Sequence, residues 1–149
     1  MKQRIYLDTS VFSALHDSRA PDRQGQTLLF WARLGEFEAS TSEASRGEAE
    51  GTPDRIRRER LLESISAVSV FPVTPEMRNL ARRYIAEGIF STTQETDAIH
   101  VAAAVLTRHD ILLSWNFKHL VNRRRRAAIN ALNLALGIPS VDIIPPPEL

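Results

Sequence analysis

The sequence predicts an α/β protein, a three-layer α/β/α sandwich around a mostly parallel sheet of four or five strands. Three observations carry that expectation. Short aliphatic runs alternate with stretches of helical periodicity from one end of the chain to the other. One of those runs, Ile111-Leu112-Leu113, is apolar at every position, as strands covered on both faces are. The 149 residues, 43% of them hydrophobic, suffice for one sizeable core, so a single domain over 1–149 is expected.

The elements follow in order. Ile5, Tyr6 and Leu7 predict a strand almost at the first residue. Asp8 arrives where that run ends, and Thr9-Ser10 can cap a helix carried by Val11, Phe12 and Leu15 to about Asp17. The polar break from Arg19 to Gly25 contains Pro21, which suits the start of a second helix. Leu28, Leu29, Ala32 and Leu34, with Trp31 between them, give that helix its apolar side, and Gly35 can stop it. Phe37 to Thr41 reads as a short strand, and Ser42 and Glu43 at its end repeat the pattern seen at Asp8. Ser45 to Pro53, rich in Glu and Gly, reads as a poor core element, either flexible or a place where another chain binds.

Asp54 to Ser64 is a charged helix with a narrow apolar stripe. Val68 to Val73 predicts an edge strand, ended by Pro72 and Pro75. Pro75 can open the next helix, with Met77, Leu80, Ala81, Tyr84 and Ile85 at helical spacing and Gly88 as its close. After the polar turn Ser91-Thr92-Thr93, Glu95 to Arg108 predicts a strongly buried helix, because Ala98, Ile99, Ala102, Val105 and Leu106 share one face. The Ile111–Leu113 strand releases Ser114, Trp115 and Asn116 at its carboxyl end. A helix opens at the basic run from Arg123 and stops at Gly137, and Val141 to Ile144 is the last strand, barred from extension by Pro145 to Pro147.

Composition narrows the function. There is no cysteine, so disulfides and thiolate metal sites are excluded, which fits a reducing compartment. No signal-peptide pattern opens the chain and no apolar run reaches the roughly 18 residues of a membrane span, so a cytoplasmic location away from membranes is expected. The formal charge is +1, so contact with a polyanion has to be local. Its best candidate surface is Arg123, Arg124, Arg125 and Arg126, at a helix start where the dipole mildly disfavours cations.

The chemistry lies in the acids. Asp8, Glu43 and Asn116 leave strand ends and Asp97 opens a helix. The carboxyl ends of a parallel sheet share one edge, where open α/β proteins seat their ligands. Carboxylates crowded there repel one another unless a cation neutralises them, and these oxygen donors suit Mg2+ or Mn2+. Such an ion would orient water and stabilise charge on a transferring phosphoryl group. Each residue also has a plain structural role open to it, as a helix cap, a first-turn acid or a turn residue.

YLDTSVF at the start, Glu43 after the second strand, TDAIHVAAAV, LLSWNFKHLVN and the closing PPPEL together make the chain resemble PIN-domain ribonucleases, most closely the VapC-type toxins of bacterial toxin–antitoxin pairs. The resemblance runs along nearly the whole chain. It implies a PIN-like fold and a metal-dependent endoribonuclease in which a metal-activated water attacks an RNA phosphodiester. It also implies a cognate antitoxin and a homodimer. The family's acids fall on Asp8, Glu43 and Asp97, while the fourth position falls on Asn116. An amide there can ligate through its oxygen but adds no charge.

Ser10, Ser114, Glu95, His100 and Lys118 are expected to support the metal-binding acids or to touch phosphate, and His119 stands close enough to Asn116 to touch a phosphate. Asn116 also motivates an alternative, a catalytically weakened domain that binds RNA or a protein partner. A further alternative is a phosphoryl-transfer or phosphate-sensing α/β protein. Against it, Asp8 lacks a second aspartate two residues later and the chain has no glycine-rich phosphate loop.

Overall fold

The structure is a computed structural model that describes residues 1–149. Five strands, β1 (Arg4–Leu7), β2 (Glu38–Ser42), β3 (Ser69–Phe71), β4 (Ile111–Leu113) and β5 (Asp142–Ile144), form one sheet in the order β3-β2-β1-β4-β5. Every pairing is parallel, with Tyr6 opposite Ser40 on one side and Leu112 on the other. The expected sandwich is therefore present, with β1 at its centre. β3 is an edge strand, as its flanking prolines require.

Seven α-helices cover the two faces: α1 (Thr9–Leu15), α2 (Pro21–Ala32), α3 (Glu43–Glu50), α4 (Arg55–Ile65), α5 (Pro75–Ala86), α6 (Glu95–Leu106) and α7 (Arg123–Ala135). Side-chain alternation along the strands divides the core in two. Ile5 and Leu7, with Ile111 and Leu113, face α1 to α4 through Phe12, Phe30, Ala49, Leu61 and Ile65. Tyr6 and Leu112 face the opposite layer, packed with Met77, Leu80 and Tyr84 of α5, the alanines of α6 and Ile129 of α7. The small residues of α6 are fully buried, so this helix lies close against the sheet.

Helix ends follow the signals in the sequence. Asp8, Thr74 and Asn122 cap α1, α5 and α7 through their side chains. Gly88 and Gly137 take the left-handed conformation (φ 76° and 70°) just past α5 and α7, where a Cβ would be strained.

One segment departs from expectation. Ser45–Pro53 is not a loose stretch, because most of it lies in α3. Ser42 caps that helix, accepting from the Ala44 amide at 3.2 Å, and the small residues Ser45 and Ala49, one turn apart, form its buried side. The glycine and glutamate content hid a short helix whose stability comes from packing.

His109, just past α6, is buried against Tyr6 and Phe71 and bonded to the Ser40 and Thr107 hydroxyls. Burial, with the Arg4 charge beside it, lowers its pKa to about 4. Its neutral form is the folded one, so its contribution to stability is complete above pH 6.5 and is lost as the pH falls toward 4. Urea titrations at pH 7.5 and 4.5 should show about 2.5 kcal/mol of stability lost to this group. His109→Gln should flatten that part of the pH dependence, and an unchanged slope would contradict the assignment.

Candidate active site

Chain order reverses at β1: β2 and β3 lie to one side and β4 and β5 to the other. The crevice beyond the carboxyl ends of β1 and β4 is therefore the switch point of the sheet, the place where such folds bind ligands. Asp8 leaves β1 there, and Ser114-Trp115-Asn116 leaves β4.

Asp8 is 4% exposed. Its Oδ1 accepts from the Ser10 amide at 3.0 Å and from the Ser10 hydroxyl, while Oδ2 accepts from the Ser114 hydroxyl at 2.6 Å. Burial pushes its pKa up, against the lowering effects of the His100 charge and the two serine bonds. An ionised Asp8 is thus held at a cost in the folded chain.

A polar path continues from it. Ser114 Oγ accepts from the Asn116 amide at 3.0 Å, and Asn116 Oδ1 accepts from the His119 amide at 2.9 Å. The His119 ring then donates from Nδ1 to Asp97 Oδ2 at 3.0 Å. Asp8, Ser10, Ser114, Asn116 and Asp97 are therefore linked through adjacent contacts, and His119 turns from the expected phosphate contact into the partner of Asp97.

Glu48 enters from the other side, and no feature weighed in the sequence had marked it. Its Oε1 accepts from the Thr9 hydroxyl at 2.6 Å and from His100 Nε2 at 2.8 Å. His100 Nδ1 lies 2.6 Å from the Tyr6 hydroxyl, which in turn lies 2.7 Å from Ser42 Oγ. Burial opposes a charge on His100, but the Tyr6 oxygen and the Glu48 and Asp8 carboxylates outweigh it and raise its pKa to about 10. Burial also acts to raise the Glu48 pKa, but the His100 charge and the Thr9 bond prevail and hold that carboxyl below its usual range. The sequence signal for Glu48 was the Ser45/Ala49 spacing, which marks a packed helix and places Glu48 near its buried edge.

The remaining expected residues are placed as follows. Glu43 is half-exposed in the first turn of α3, bonded to Arg46 at 2.6 Å, and lines a separate groove with Glu48, Arg78 and Thr96. Glu95 and Lys118 are exposed. Of the arginines, Arg125 donates to the His119 carbonyl at 2.8 Å and lies over Phe90, and Arg126 pairs with Asp142 at 3.1 Å. Arg123 and Arg124 are exposed.

No three Asp, Glu or His side chains stand close enough to form a metal cage. Mg2+, however, keeps several waters and is commonly held by only one or two carboxylates. Asp8 suits that role on donor chemistry. It is a buried carboxylate whose ionisation burial opposes, and its Ser10 and Ser114 partners are oxygen donors that suit the same kind of ion. The residues therefore fit a hydrated hard ion at Asp8 and do not form a closed cage. Next to it runs a cleft of about 400 Å³ whose lining includes Thr9, Ser10, Glu48, Trp115 and Asn116, with Asp17 and Arg23.

The protein is a parallel α/β sandwich with a buried carboxylate at its switch point. A PIN-domain family model matches residues 5–116, and the chain belongs to the PIN-domain family. Among solved structures it is similar in fold to the toxin VapC20 of Mycobacterium tuberculosis (18% identity, 92% of this chain and 98% of that one, TM-score 0.60). It is likewise similar to a Klebsiella pneumoniae toxin–antitoxin complex (17% identity, 81% and 93%, TM-score 0.60). A third is VapBC2 of Rickettsia felis bound to a promoter DNA fragment (10% identity, 96% and 98%, TM-score 0.59). No curated protein matches the sequence.

Proposed function

We propose that the chain is a Mg2+- or Mn2+-dependent endoribonuclease of the VapC type, restrained by a cognate antitoxin and acting as a homodimer. The observation that carries the reading is the buried Asp8 carboxylate at the switch point, held by the Ser10 amide and the Ser10 and Ser114 hydroxyls. Membership of the PIN-domain family supports it. So does the fold shared with VapC20, described as a sarcin–ricin loop cleaving toxin, and with toxin–antitoxin assemblies.

In this reading Asp8 is the chief ligand, with Asn116 and Asp97 as its further oxygen donors. The bound ion would supply charge stabilisation at the scissile phosphate and lower the pKa of an attacking water. The rest falls to the chain's own groups. Ser10 and Ser114 fix the Asp8 carboxylate, and His119 orients Asp97. Glu48, held by Thr9 and His100, presents a carboxylate to the cleft.

The test is cleavage of a mixed-sequence RNA by the full chain. Cutting is expected with Mg2+ or Mn2+, none after chelation, and none in Asp97→Asn, whereas Asp110→Asn, at an exposed carboxylate that accepts from the Arg4 amide at the opposite end of β1, should keep its nuclease activity. Activity that survives chelation overturns the metal requirement. A second reading, a weakened domain that binds RNA without turnover, is favoured by Asn116 in the fourth position and by the His119 bond on Asp97. RNA binding with no cleavage under any divalent ion would establish that second reading.

A further inference from the structure

Arg23 of α2 projects into the Asp8 cleft. Its guanidinium carbon lies 5.3 Å from the centroid of the Trp115 ring and 5.4 Å from that of Phe117, within cation–π range of both. The two rings meet edge-on at 6.2 Å. Arg23 forms no ion pair, although Asp17 lines the same cleft, because Asp17 is held by Arg19 at 2.9 Å.

The arrangement is anchored from below. Trp115 is 8% exposed, and its indole N–H donates to Thr27 Oγ1 at 2.9 Å. Thr27 is itself fixed by donating to the Arg23 carbonyl at 2.6 Å. The Trp115 amide donates to Ser10 Oγ at 2.8 Å, and the same Ser10 hydroxyl donates to Asp8. One serine thus ties the aromatic pair to the carboxylate. Phe117, by contrast, is 44% exposed, so a fixed base of rings carries a face open to solvent.

An exposed guanidinium within cation–π range of two aromatic rings, with its N–H donors taken up by no other group, matches the recognition of unpaired nucleotides. Bases stack on aromatic and guanidinium planes while phosphate takes the donors. We propose that Arg23, Trp115 and Phe117 form a subsite for one unpaired nucleotide of single-stranded RNA, held beside the Asp8 carboxylate. The subsite rests on the nuclease reading and deepens it. It favours scissile bonds in loops over those in duplexes, because a paired base cannot reach the platform.

The test uses the full chain carrying Asp8→Asn, which prevents turnover, and Trp31→Phe, which leaves Trp115 as the only tryptophan. A short unstructured oligoribonucleotide should quench the Trp115 emission. Arg23→Ala and Phe117→Ala should each weaken its binding by about tenfold, the scale of one lost stacking contact, with little effect on an RNA duplex of equal length. Arg23→Lys, which keeps the charge and loses the plane, should behave like Arg23→Ala. Wild-type-like affinity in Arg23→Ala and Phe117→Ala overturns the subsite while leaving the nuclease reading intact. Full affinity in Arg23→Lys alone overturns the stacking role. A parent chain that neither binds nor cleaves RNA overturns both. If the Arg23 substitutions weaken only the binding of a protein partner, the platform belongs to a protein interface and the RNA subsite falls.

Discussion

Replacing Asp8 with Asn is expected to lower RNA cleavage by about a thousandfold or more, roughly 4 kcal/mol of barrier at 1.36 kcal/mol per decade, and to raise thermal stability. The two effects have one origin. Burial raises the Asp8 pKa against the His100 charge and the serine hydrogen bonds, so ionising this carboxyl costs the folded chain free energy. That cost is absent below the ordinary value of 3.8, grows as the pH rises from there and is complete above the folded value. Asparagine removes the charge, keeps the shape and remains a good helix cap for α1. Without divalent ions at pH 7, Asp8→Asn should melt above the parent. Added Mn2+ should then raise the melting temperature of the parent and not that of the variant, since an ion stabilises only the state that binds it. A variant that melts below the parent in chelator would show that Asp8 is not a strained charge.

His100→Ala should cost about 2 kcal/mol in stability near pH 6, the scale of hydrogen bonds to a charged group, because Glu48 is 43% exposed and stays solvated without its partner. His100 is fully enclosed between the Tyr6 hydroxyl and the Glu48 carboxylate, and its removal leaves both without that partner. Its folded pKa, raised to about 10, sets the pH window. The stabilisation is complete below pH 6.5 and is lost as the pH rises toward 10. Parent and variant should therefore differ most near pH 6 and converge toward pH 10, as chemical denaturation at three or four pH values can measure. A difference that stays constant with pH would mean that His100 is neutral in the folded protein. The site thus joins a charge held at a cost, Asp8, to one that stabilises, His100.

The sheet was legible because its signals are local. The apolar run Ile111–Leu113 and the short Ile5–Leu7 run sit at the centre of the sheet, and Pro21, Pro75, Gly88 and Gly137 mark helix ends as their backbone preferences require. The positions of Asp8 and Ser114-Trp115-Asn116 at neighbouring strand ends followed from parallel order alone. What stayed hidden was pairing across distance. Glu48 lies in a segment whose composition argues for a loop, and its partner His100 is 52 residues away. His119 reads as a phosphate contact until Asp97, 22 residues earlier, is found against it. The four arginines read as one cationic surface, yet Arg125 and Arg126 are drawn into contacts with His119 and Asp142. Periodicity shows which face of a helix is buried, but it carries no information on which polar group a side chain meets there.

The most direct measurement is anomalous diffraction from crystals of the full chain soaked in Mn2+. The account predicts a peak beside the Asp8 carboxylate at the switch point, approached by oxygens of Asn116 or Asp97, and its loss in Asp8→Asn crystals. Mn2+ bound elsewhere on the surface with the Asp8 pocket empty, in crystals of a chain that still cleaves RNA, would contradict it.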